Sequence, residues 1–140
     1  MADRGRDTFR LEVVTPQRLT VSEEVEELVA PGVEGYFGVW PGHTPFMTTL
    51  KIGELSYKRR GEERFLAVSW GYAEVRPDKA IILVESAERA EEIDLARAEE
   101  ARARAEERLR RWGDPTIDFA RAQAALERAI ARVSVAARGR

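Results

Sequence analysis

Residues 32–55 read GVEGYFGVWPGHTPFMTTLKIGEL and combine five glycines, two prolines and His43, the chain's only histidine. Closely spaced glycines also occur in the dinucleotide-binding fingerprint, which needs a strand before it and a helix directly after it. Pro41 and Pro45 exclude that helix, because an internal proline removes a hydrogen bond and clashes with the preceding turn. The stretch is interpreted as a loop with two possible uses. It is either a catalytic site built on His43 or a stiff surface that touches another protein.

Composition narrows the classes of protein that remain. A chain of 140 residues allows one domain or two small ones. The net charge of -2 gives no bulk attraction to nucleic acid, so no nucleic-acid partner is expected. The absence of cysteine excludes disulfides and thiolate metal sites, and a single histidine excludes a multi-histidine site. We therefore expect no metal centre.

Two features of the sequence bear on location. The first residues, MADRGRDTFR, are polar and lack the apolar segment of a signal peptide. No run approaches the roughly 18 to 20 apolar residues of a membrane span. The sequence predicts a soluble protein on the cytoplasmic side of the membrane.

Residues 1–88 show the period of β-strands. In TFRLEVV, residues 8–14, Phe9, Leu11 and Val13 alternate with charged side chains, as in a half-buried strand. The segments VEELVA (25–30), ELSYKRR (54–60) and ERFLAVSW (63–70) read as further strands, and RPDK (76–79) is a turn between two more. Short strands at this spacing favour an antiparallel sandwich or barrel. We predict an all-β antiparallel sandwich as the N-terminal domain.

Residues 89–140 show helical composition. Residues 91–112, EEIDLARAEEARARAEERLRRW, consist largely of strong helix formers and end before Gly113 and Pro115. Residues 116–137 predict a second helix, capped by Thr116 or Asp118. A short break between two such helices predicts an antiparallel helical hairpin.

The predicted contact seam of the hairpin consists mostly of alanine. Each alanine buries only a methyl group, worth on the order of 1 kcal/mol or less. Glu–Arg pairs at helical spacing support each helix by itself. The hairpin is therefore either one that opens while its helices persist or an ordinary alanine-rich hairpin. The seam is expected to contain Ala98, Ala101, Ala105, Leu109, Trp112, Phe119, Ala122, Leu126, Ala129, Val133 and Ala136.

The segments GVEGYFGVWPGHTPF, IDLARAEEA and ALERAIARVSVA occur in an order that resembles the epsilon subunit of the bacterial F-type ATP synthase. The resemblance covers nearly the whole chain. It implies a non-catalytic central-stalk subunit that couples the catalytic head to the proton-driven c-ring at the cytoplasmic face of the plasma membrane. It also implies C-terminal helices that extend into the alpha/beta head and block ATP hydrolysis. The related mitochondrial delta subunit is disfavoured because no transit peptide is evident.

The resemblance gives the loop an interface role. It implies that the loop packs on the gamma subunit and faces the c-ring, and Tyr36, Phe37, Trp40 and His43 are the expected contact residues. Large aromatic side chains are common anchors of interfaces, and a stiff loop loses little entropy on docking. Catalysis by His43 requires a nucleophile and an orienting carboxylate, and the sequence gives no sign of that set. His43 is left as either a contact residue or a structural residue bonded within the loop.

The resemblance also implies an ATP site on the folded hairpin, through an Ile-Asp-x-x-Arg-Ala motif at residues 93–98. This regulatory ATP, with or without magnesium, would be the only cofactor, and no Gly-rich phosphate loop accompanies it. Three alternatives stay open: Asp94 and Arg97 simply pair, the arginines form a solvated face, or the chain is a stand-alone ATP-sensing module without a rotary complex. The expected ATP ligands are Glu88, Asp94, Arg97, Arg104, Arg128 and Arg132.

Overall fold

A computed structural model describes residues 7–139 of the chain, so residues 1–6 and Arg140 lie outside the described residues. Eight strands precede two helices within this range. The predicted class, an antiparallel sandwich followed by a helical hairpin, is confirmed. The strands are β1 (Phe9–Val14), β2 (Leu19–Val25), β3 (Glu27–Gly32), β4 (Gly35–Val39), β5 (Phe46–Leu50), β6 (Gly53–Arg59), β7 (Glu62–Arg76) and β8 (Lys79–Arg89).

Strand β7 joins the two layers of the sandwich. Its first half pairs with β6, its second half pairs with β5, and β8 runs antiparallel along most of its length. The predicted two-residue turn between β7 and β8 is confirmed, since Arg76 lies opposite Lys79. One pairing among the described strands departs from the antiparallel rule, because β1 runs parallel to β8.

The sandwich core consists of large apolar side chains. Phe9, Leu11 and Val13 of β1 are buried as their alternation predicts. Leu55 and Ile82 are fully buried and belong to the same cluster. Because two layers of strands contribute to one contiguous core, this domain has its own source of stability.

The loop interpretation of residues 32–55 is wrong in part, because Phe46–Leu50 form β5 and β6 begins at Gly53. Gly35–Val39 form β4, which makes a hairpin with β3 across a turn at Val33 and Glu34. The sequence interpretation missed this strand because it contains frequent glycines, and glycine is disfavoured in strand interiors. Residues 40–45 form an irregular loop.

A single 3-10 turn, Ala90–Glu92, connects β8 to the hairpin helices α1 (Leu95–Arg110) and α2 (Phe119–Arg138). Helix α1 begins four residues later than predicted, because Asp94 accepts a hydrogen bond from the Arg97 backbone N–H and caps the helix. Asp118 caps α2 in the same way, as predicted. The domain division at residues 88 and 89 stays a prediction; β8 itself ends at Arg89.

Helix α2 has two buried faces, of which the sequence interpretation found one. The predicted seam residues Ala122, Ala129 and Ala136 are buried. A second face, with Ala131 and Val135, belongs to an apolar cluster with residues of the sandwich and the 3-10 turn. Helix α2 therefore lies against β6 and β7, and α1 packs on α2.

Trp112 was wrongly assigned to the helical seam. It lies beyond the end of α1, and 88% of its surface is exposed. Its ring contacts the Phe119 ring at a centroid distance of 6.0 Å. The seam thus ends before the turn of the hairpin.

Candidate functional site

The glycines of residues 32–55 make room for the aromatic side chains of the same segment. A Cβ atom on Gly38 would lie 2.6 Å from the Trp40 ring, and one on Gly53 would lie 2.7 Å from the Tyr36 hydroxyl. Real Cβ atoms essentially never approach other atoms so closely. The glycine spacing therefore fixes where these two rings lie on the surface.

His43 lies in a loop fastened at two points. The His43 backbone N–H donates to the Trp40 carbonyl at 3.1 Å, and the Gly42 N–H donates to the Pro77 carbonyl at 2.9 Å. The imidazole packs against the Phe46 ring at a centroid distance of 5.4 Å. These contacts hold the loop between β4 and β5 against the turn between β7 and β8.

The four predicted interface residues differ in exposure. Tyr36 and Trp40 are 55% and 51% exposed. Phe37 and His43 are half-buried, and Phe37 packs edge-on against Phe46 beside the sandwich core. The structure thus places two of the four on the surface, and their role as contact residues stays a prediction.

A larger apolar surface lies on the outer face of strands β5, β7 and β8. Met47, Tyr72 and Leu83 are 70%, 60% and 48% exposed. Tyr72 lies opposite both Thr49 and Leu83 in the sheet, so these side chains form a continuous row across three strands. Sequence reasoning missed this surface, although residues 81–84, IILV, are apolar at both alternating positions and so indicate two apolar faces.

This apolar surface continues into a cleft at Trp70. The cleft has a volume of about 650 Å³, and its lining includes Val14, Val33 and Trp70. Trp70 has a φ of 28°, an outlier for a bulky residue, and it is 42% exposed. Strained residues cluster at binding surfaces, where the surrounding structure holds them in place. The outer face of β5, β7 and β8 with this cleft is called the apolar face below.

The six predicted ATP ligands do not all converge. Glu88, Arg128 and Arg132 line one small cavity of about 30 Å³ between β8 and α2. Within it, the Arg132 guanidinium donates to both carboxylate oxygens of Glu88, at 2.8 and 3.3 Å. The cavity is too small for a nucleotide while this ion pair is closed.

The remaining three predicted ligands have other positions. The Asp94 carboxylate accepts from the Arg97 backbone N–H as the cap of α1. Arg104 lines a separate cleft on α1 together with Arg108 and Glu107. The Arg97 contact with Asp94 thus uses the backbone N–H and not the guanidinium that the sequence motif implies as a phosphate ligand.

Glu54 joins the sandwich to the end of α2. Its carboxylate accepts from the Ser134 hydroxyl and lies 2.8 Å from the Arg138 guanidinium. The Arg138 guanidinium also lies over the Phe65 ring, 5.3 Å from its centroid. The Glu54 backbone N–H donates to the Tyr36 hydroxyl at 3.0 Å, which links this contact to the glycine-rich segment.

The connection between the domains contains a carboxylate with a shifted pKa. The Arg89 backbone N–H donates to Glu92 at 3.0 Å, and the Arg18 guanidinium adds a bidentate contact. These interactions, the backbone bond first, lower the pKa of Glu92 from its ordinary value of 4.5. In the turn between α1 and α2, bonds from Thr116 lower the pKa of Asp114.

No helix among residues 7–139 is long and apolar enough to cross a membrane. Within the same residues, no three His, Cys, Asp or Glu side chains group in a way that suits a metal ion.

Two protein-family models match the chain in succession. The model described as "ATP synthase, Delta/Epsilon chain, beta-sandwich domain" matches residues 8–90. The model described as "ATP synthase, Delta/Epsilon chain, long alpha-helix domain" matches residues 91–137.

Proteins with curated names give the same result. The "ATP synthase epsilon chain 2" of Syntrophotalea carbinolica is 52% identical over 131 residues, which cover 94% of this chain and 95% of the relative. The "ATP synthase epsilon chain" of Geotalea uraniireducens is 52% identical over 132 residues, 94% of this chain and 96% of the relative. That of Koribacter versatilis is 56% identical over 107 residues, 76% of this chain and 75% of the relative.

Solved structures share the fold. A chain in the cryo-EM structure of the Euglena gracilis mitochondrial ATP synthase (OSCP/F1/c-ring, rotational state 1) superposes with a TM-score of 0.81 at 22% identity. The match covers 94% of this chain and 82% of that one. A chain in the central stalk/c-ring structure from Tetrahymena thermophila mitochondria gives a TM-score of 0.53 at 11% identity, covering 94% and 95%.

Proposed function

Because the chain belongs to the ATP synthase delta/epsilon chain family, we propose that it is a non-catalytic central-stalk subunit of an F-type ATP synthase. In this role it couples the catalytic head to the proton-driven c-ring at the cytoplasmic face of the plasma membrane. The observation that carries the proposal is the identity of 52% to proteins named ATP synthase epsilon chain, over 94% of this chain.

The gamma subunit docks on the apolar face in this proposal. Tyr72 and Leu83 lie opposite each other with Met47 exposed on the neighbouring strand, and an apolar patch of this kind on a folded domain marks an interaction site. The cleft at Trp70 offers a pocket for an anchoring side chain of the partner. The loop with Trp40 and His43 then faces the c-ring, whereas the resemblance implied that the same loop also packs on gamma.

The hairpin is the mobile inhibitory element in this proposal. Its helices leave the sandwich, extend into the alpha/beta head and block ATP hydrolysis. Two polar contacts between α2 and the sandwich must break, Glu54 with Ser134 and Arg138, and Glu88 with Arg132. The fully buried α2 residues of the apolar contact beside them are small, namely Ala131, Val135 and Ala136. Both features favour a docked state that can be released.

Regulatory ATP binding to the compact hairpin completes the proposal. Glu88, Arg128 and Arg132 already lie together between β8 and α2. A triphosphate would compete with Glu88 for the Arg132 guanidinium, because arginine binds phosphate and carboxylate in the same bidentate geometry. ATP would thus replace an existing ion pair, with or without magnesium.

Reconstitution with a gamma subunit tests the proposed function. The full chain should co-purify with gamma, and a Tyr72→Asp, Leu83→Asp variant should not, because docking would bury two unpaired charges. A Glu34→Ala variant, changed at an exposed turn of the same domain, is the matched control. Failure of the wild-type chain to bind gamma would favour the stand-alone ATP-sensing module.

Removal of the hairpin tests inhibition separately. A chain that ends after Arg89 keeps every strand of the sandwich. In the assembled enzyme, it should support ATP synthesis while ATP hydrolysis rises. Equal hydrolysis rates with the full and the shortened chain would contradict an inhibitory role for the hairpin.

A further inference from the structure

The carboxylates on the outer face of the sandwich differ in whether they have a counter-ion. At one end of the apolar face, Glu74 forms an ion pair with Arg76 at 2.7 Å, and Glu12 forms one with Lys79 at 3.5 Å. At the other end, the exposed side chain of Glu85 makes no hydrogen bond or ion pair with any residue among 7–139. Glu85 therefore leaves a negative charge free at the edge of an apolar surface.

Glu85 lies beside the strained residue Trp70. In the ladder of β7 and β8, Gly71 lies opposite Val84, so the preceding residue Trp70 lies at the level of Glu85. A Cβ atom on Gly71 would collide with the Leu83 carbonyl oxygen, so the two strands come unusually close directly after Trp70 and its φ of 28°. The backbone thus holds Trp70 and Glu85 at the same edge of the apolar face, where both line the cleft.

The cleft combines apolar walls with a single charge. Val33, Leu50 and Val84 contribute apolar walls, and Glu85 is the only charged residue among the described residues that line it. The volume of about 650 Å³ lies within the range of small-molecule sites, so a long side chain of a partner can enter it. Trp70 is 42% exposed, so a partner can reach its ring. The cleft therefore suits a group that has both an apolar stem and a positive charge.

We propose that the cleft is the pocket for one arginine or lysine side chain of the gamma subunit, whose aliphatic stem lies along Trp70 and whose cationic head pairs with Glu85. The inference rests on the proposed docking of gamma on the apolar face, and it names the chemistry that is recognised there. Tryptophan is the aromatic side chain that attracts cations most strongly. Arginine and lysine bury their stems along apolar surface while the charged head stays at a polar edge.

An apolar anchor is the alternative occupant, and the charge of Glu85 argues against it. An apolar side chain would displace water from the carboxylate without a hydrogen bond in return, and burial of an unpaired charge is unfavourable. A guanidinium or ammonium group supplies the counter-ion that the other carboxylates of this face already find within the sandwich. Complementary charges also fix the orientation of a partner. Trp70 and Glu85 therefore determine how gamma is seated on the apolar face.

Surface plasmon resonance of the full chain on immobilised gamma subunit tests this pocket. Glu85→Gln keeps the shape of the side chain and removes its charge, so it should raise Kd at least about fivefold through loss of a charge-assisted contact. The affinity of this variant should also depend less on salt than that of the wild type, since one ion pair fewer is screened. Trp70→Leu keeps an apolar side chain without an aromatic face and should raise Kd about threefold or more.

The two substitutions together test whether one partner side chain contacts both residues. The double variant should raise Kd by less than the product of the two single effects, because each single change already removes part of the same contact. Effects that multiply in full would overturn a shared contact. Glu85→Gln, at an exposed position, carries the test by itself if circular dichroism shows that Trp70→Leu does not fold.

Glu63→Gln is the matched control. Glu63 is an exposed carboxylate on the same strand as Trp70, makes no hydrogen bond or ion pair with a described residue, and lies outside the cleft lining. Its substitution changes the net charge by the same amount as Glu85→Gln. It should change Kd by less than about twofold, as expected of a solvated surface charge.

The direction of the Glu85→Gln effect separates the two occupants. Binding equal to or tighter than that of the wild type would indicate an apolar anchor and overturn the basic side chain, while gamma docking stays intact. A loss matched by Glu63→Gln would reflect general attraction between charges and would also overturn the pocket. A loss specific to Glu85→Gln, with weaker salt dependence, supports it. Absence of binding by the wild-type chain would overturn the proposed docking and this inference together.

Discussion

The sandwich and the hairpin hold their parts together by different means. The sandwich buries large side chains such as Leu11, Leu55 and Ile82 completely. The hairpin and its junction bury mainly alanines, including Ala98, Ala129 and Ala136. Each additional buried CH₂ group contributes about 0.8 kcal/mol, so the same number of buried residues stabilises the sandwich far more.

Fewer large apolar contacts hold the hairpin than hold the sandwich together, which would favour the proposed release of the hairpin. The helices keep their own capping and ion pairs, such as the Asp94 and Asp118 caps, whether or not they touch the sandwich. Docking of α2 relies on carboxylates, Glu54 and Glu88, that bind basic side chains or a hydroxyl across the boundary. Polar contacts of this kind regain water when they separate, which lowers the cost of release.

The largest expected effect comes from the sandwich core. Leu55→Ala should lower the free energy of unfolding by about 3 kcal/mol, because it removes a fully buried side chain from a close-packed core. Urea unfolding followed by tryptophan fluorescence measures this loss. Leu19→Ala, at a residue 54% exposed in β2, should change stability by less than about 0.5 kcal/mol. Equal effects of the two substitutions would contradict the assignment of the core.

The second effect concerns release of the hairpin. Glu54→Ala removes the contacts to Ser134 and Arg138 and should weaken docking of α2 by roughly 1–2 kcal/mol, with the sandwich unchanged. Hydrogen exchange should be faster in α2 residues that face the sandwich, while β7 and β8 keep their protection. Glu127→Ala is the control, since Glu127 lines the same groove but contacts only Gln123 of its own helix. Unchanged protection of α2 in Glu54→Ala would show that apolar packing alone holds the hairpin.

The sequence predicted the fold through side-chain period but missed contacts between distant segments. Alternation in residues 8–14 located β1 and its buried face, and the composition of residues 91–137 located both helices. The strand Gly35–Val39 was missed because the reasons for its glycines appear only in the structure: Gly38 makes room for the Trp40 ring, and Gly35 has a φ of 132°. The second face of α2 was missed because Ala131 and Val135 need the sandwich to show what covers them.

The candidate sites were less predictable than the fold, because they depend on contacts between residues that are distant in the sequence. The motif at residues 93–98 predicted Asp94 and Arg97 as ATP ligands, but the structure is needed to show that Asp94 caps the helix. Whether an arginine is free depends on carboxylates far away in sequence, as with Arg132 and Glu88, 44 residues apart. Spacing alone therefore could not show which of the predicted ATP ligands already have partners within the fold.

A third prediction uses the pH dependence of the connection between the domains. The native contacts of Glu92 lower its pKa, so their stabilisation is fully present above the ordinary value of 4.5 and is lost as the pH falls through the lower native pKa. Glu92→Gln should reduce stability at pH 6 by less than about 1 kcal/mol, since the exposed pair with Arg18 is screened by solvent. The difference from the wild type should shrink below pH 4.5.

Thermal unfolding of the wild type and Glu92→Gln at pH 6 and at pH 3.5 measures this change. Glu91→Gln, at the exposed neighbouring position, is the matched control and should show no such pH dependence. A difference between wild type and Glu92→Gln that grows on acidification would show that the carboxylate does not stabilise the connection as an anion.

The smallest expected effect distinguishes the predicted seam from the observed one. A heptad seam that includes Trp112 predicts that Trp112→Ala costs several kcal/mol, as for a buried aromatic side chain. The structure leaves the residue 88% exposed, with one ring contact to Phe119, so the expected loss is below about 0.5 kcal/mol. Val135→Ala, at a fully buried residue of α2, should cost more, roughly 1.5–2 kcal/mol, because it removes two methyl groups from the contact with the sandwich. Helix unfolding followed by circular dichroism gives the loss of stability for both variants. A larger loss for Trp112→Ala than for Val135→Ala would mean that apolar contacts at the hairpin turn, and not those with the sandwich, stabilise the helices.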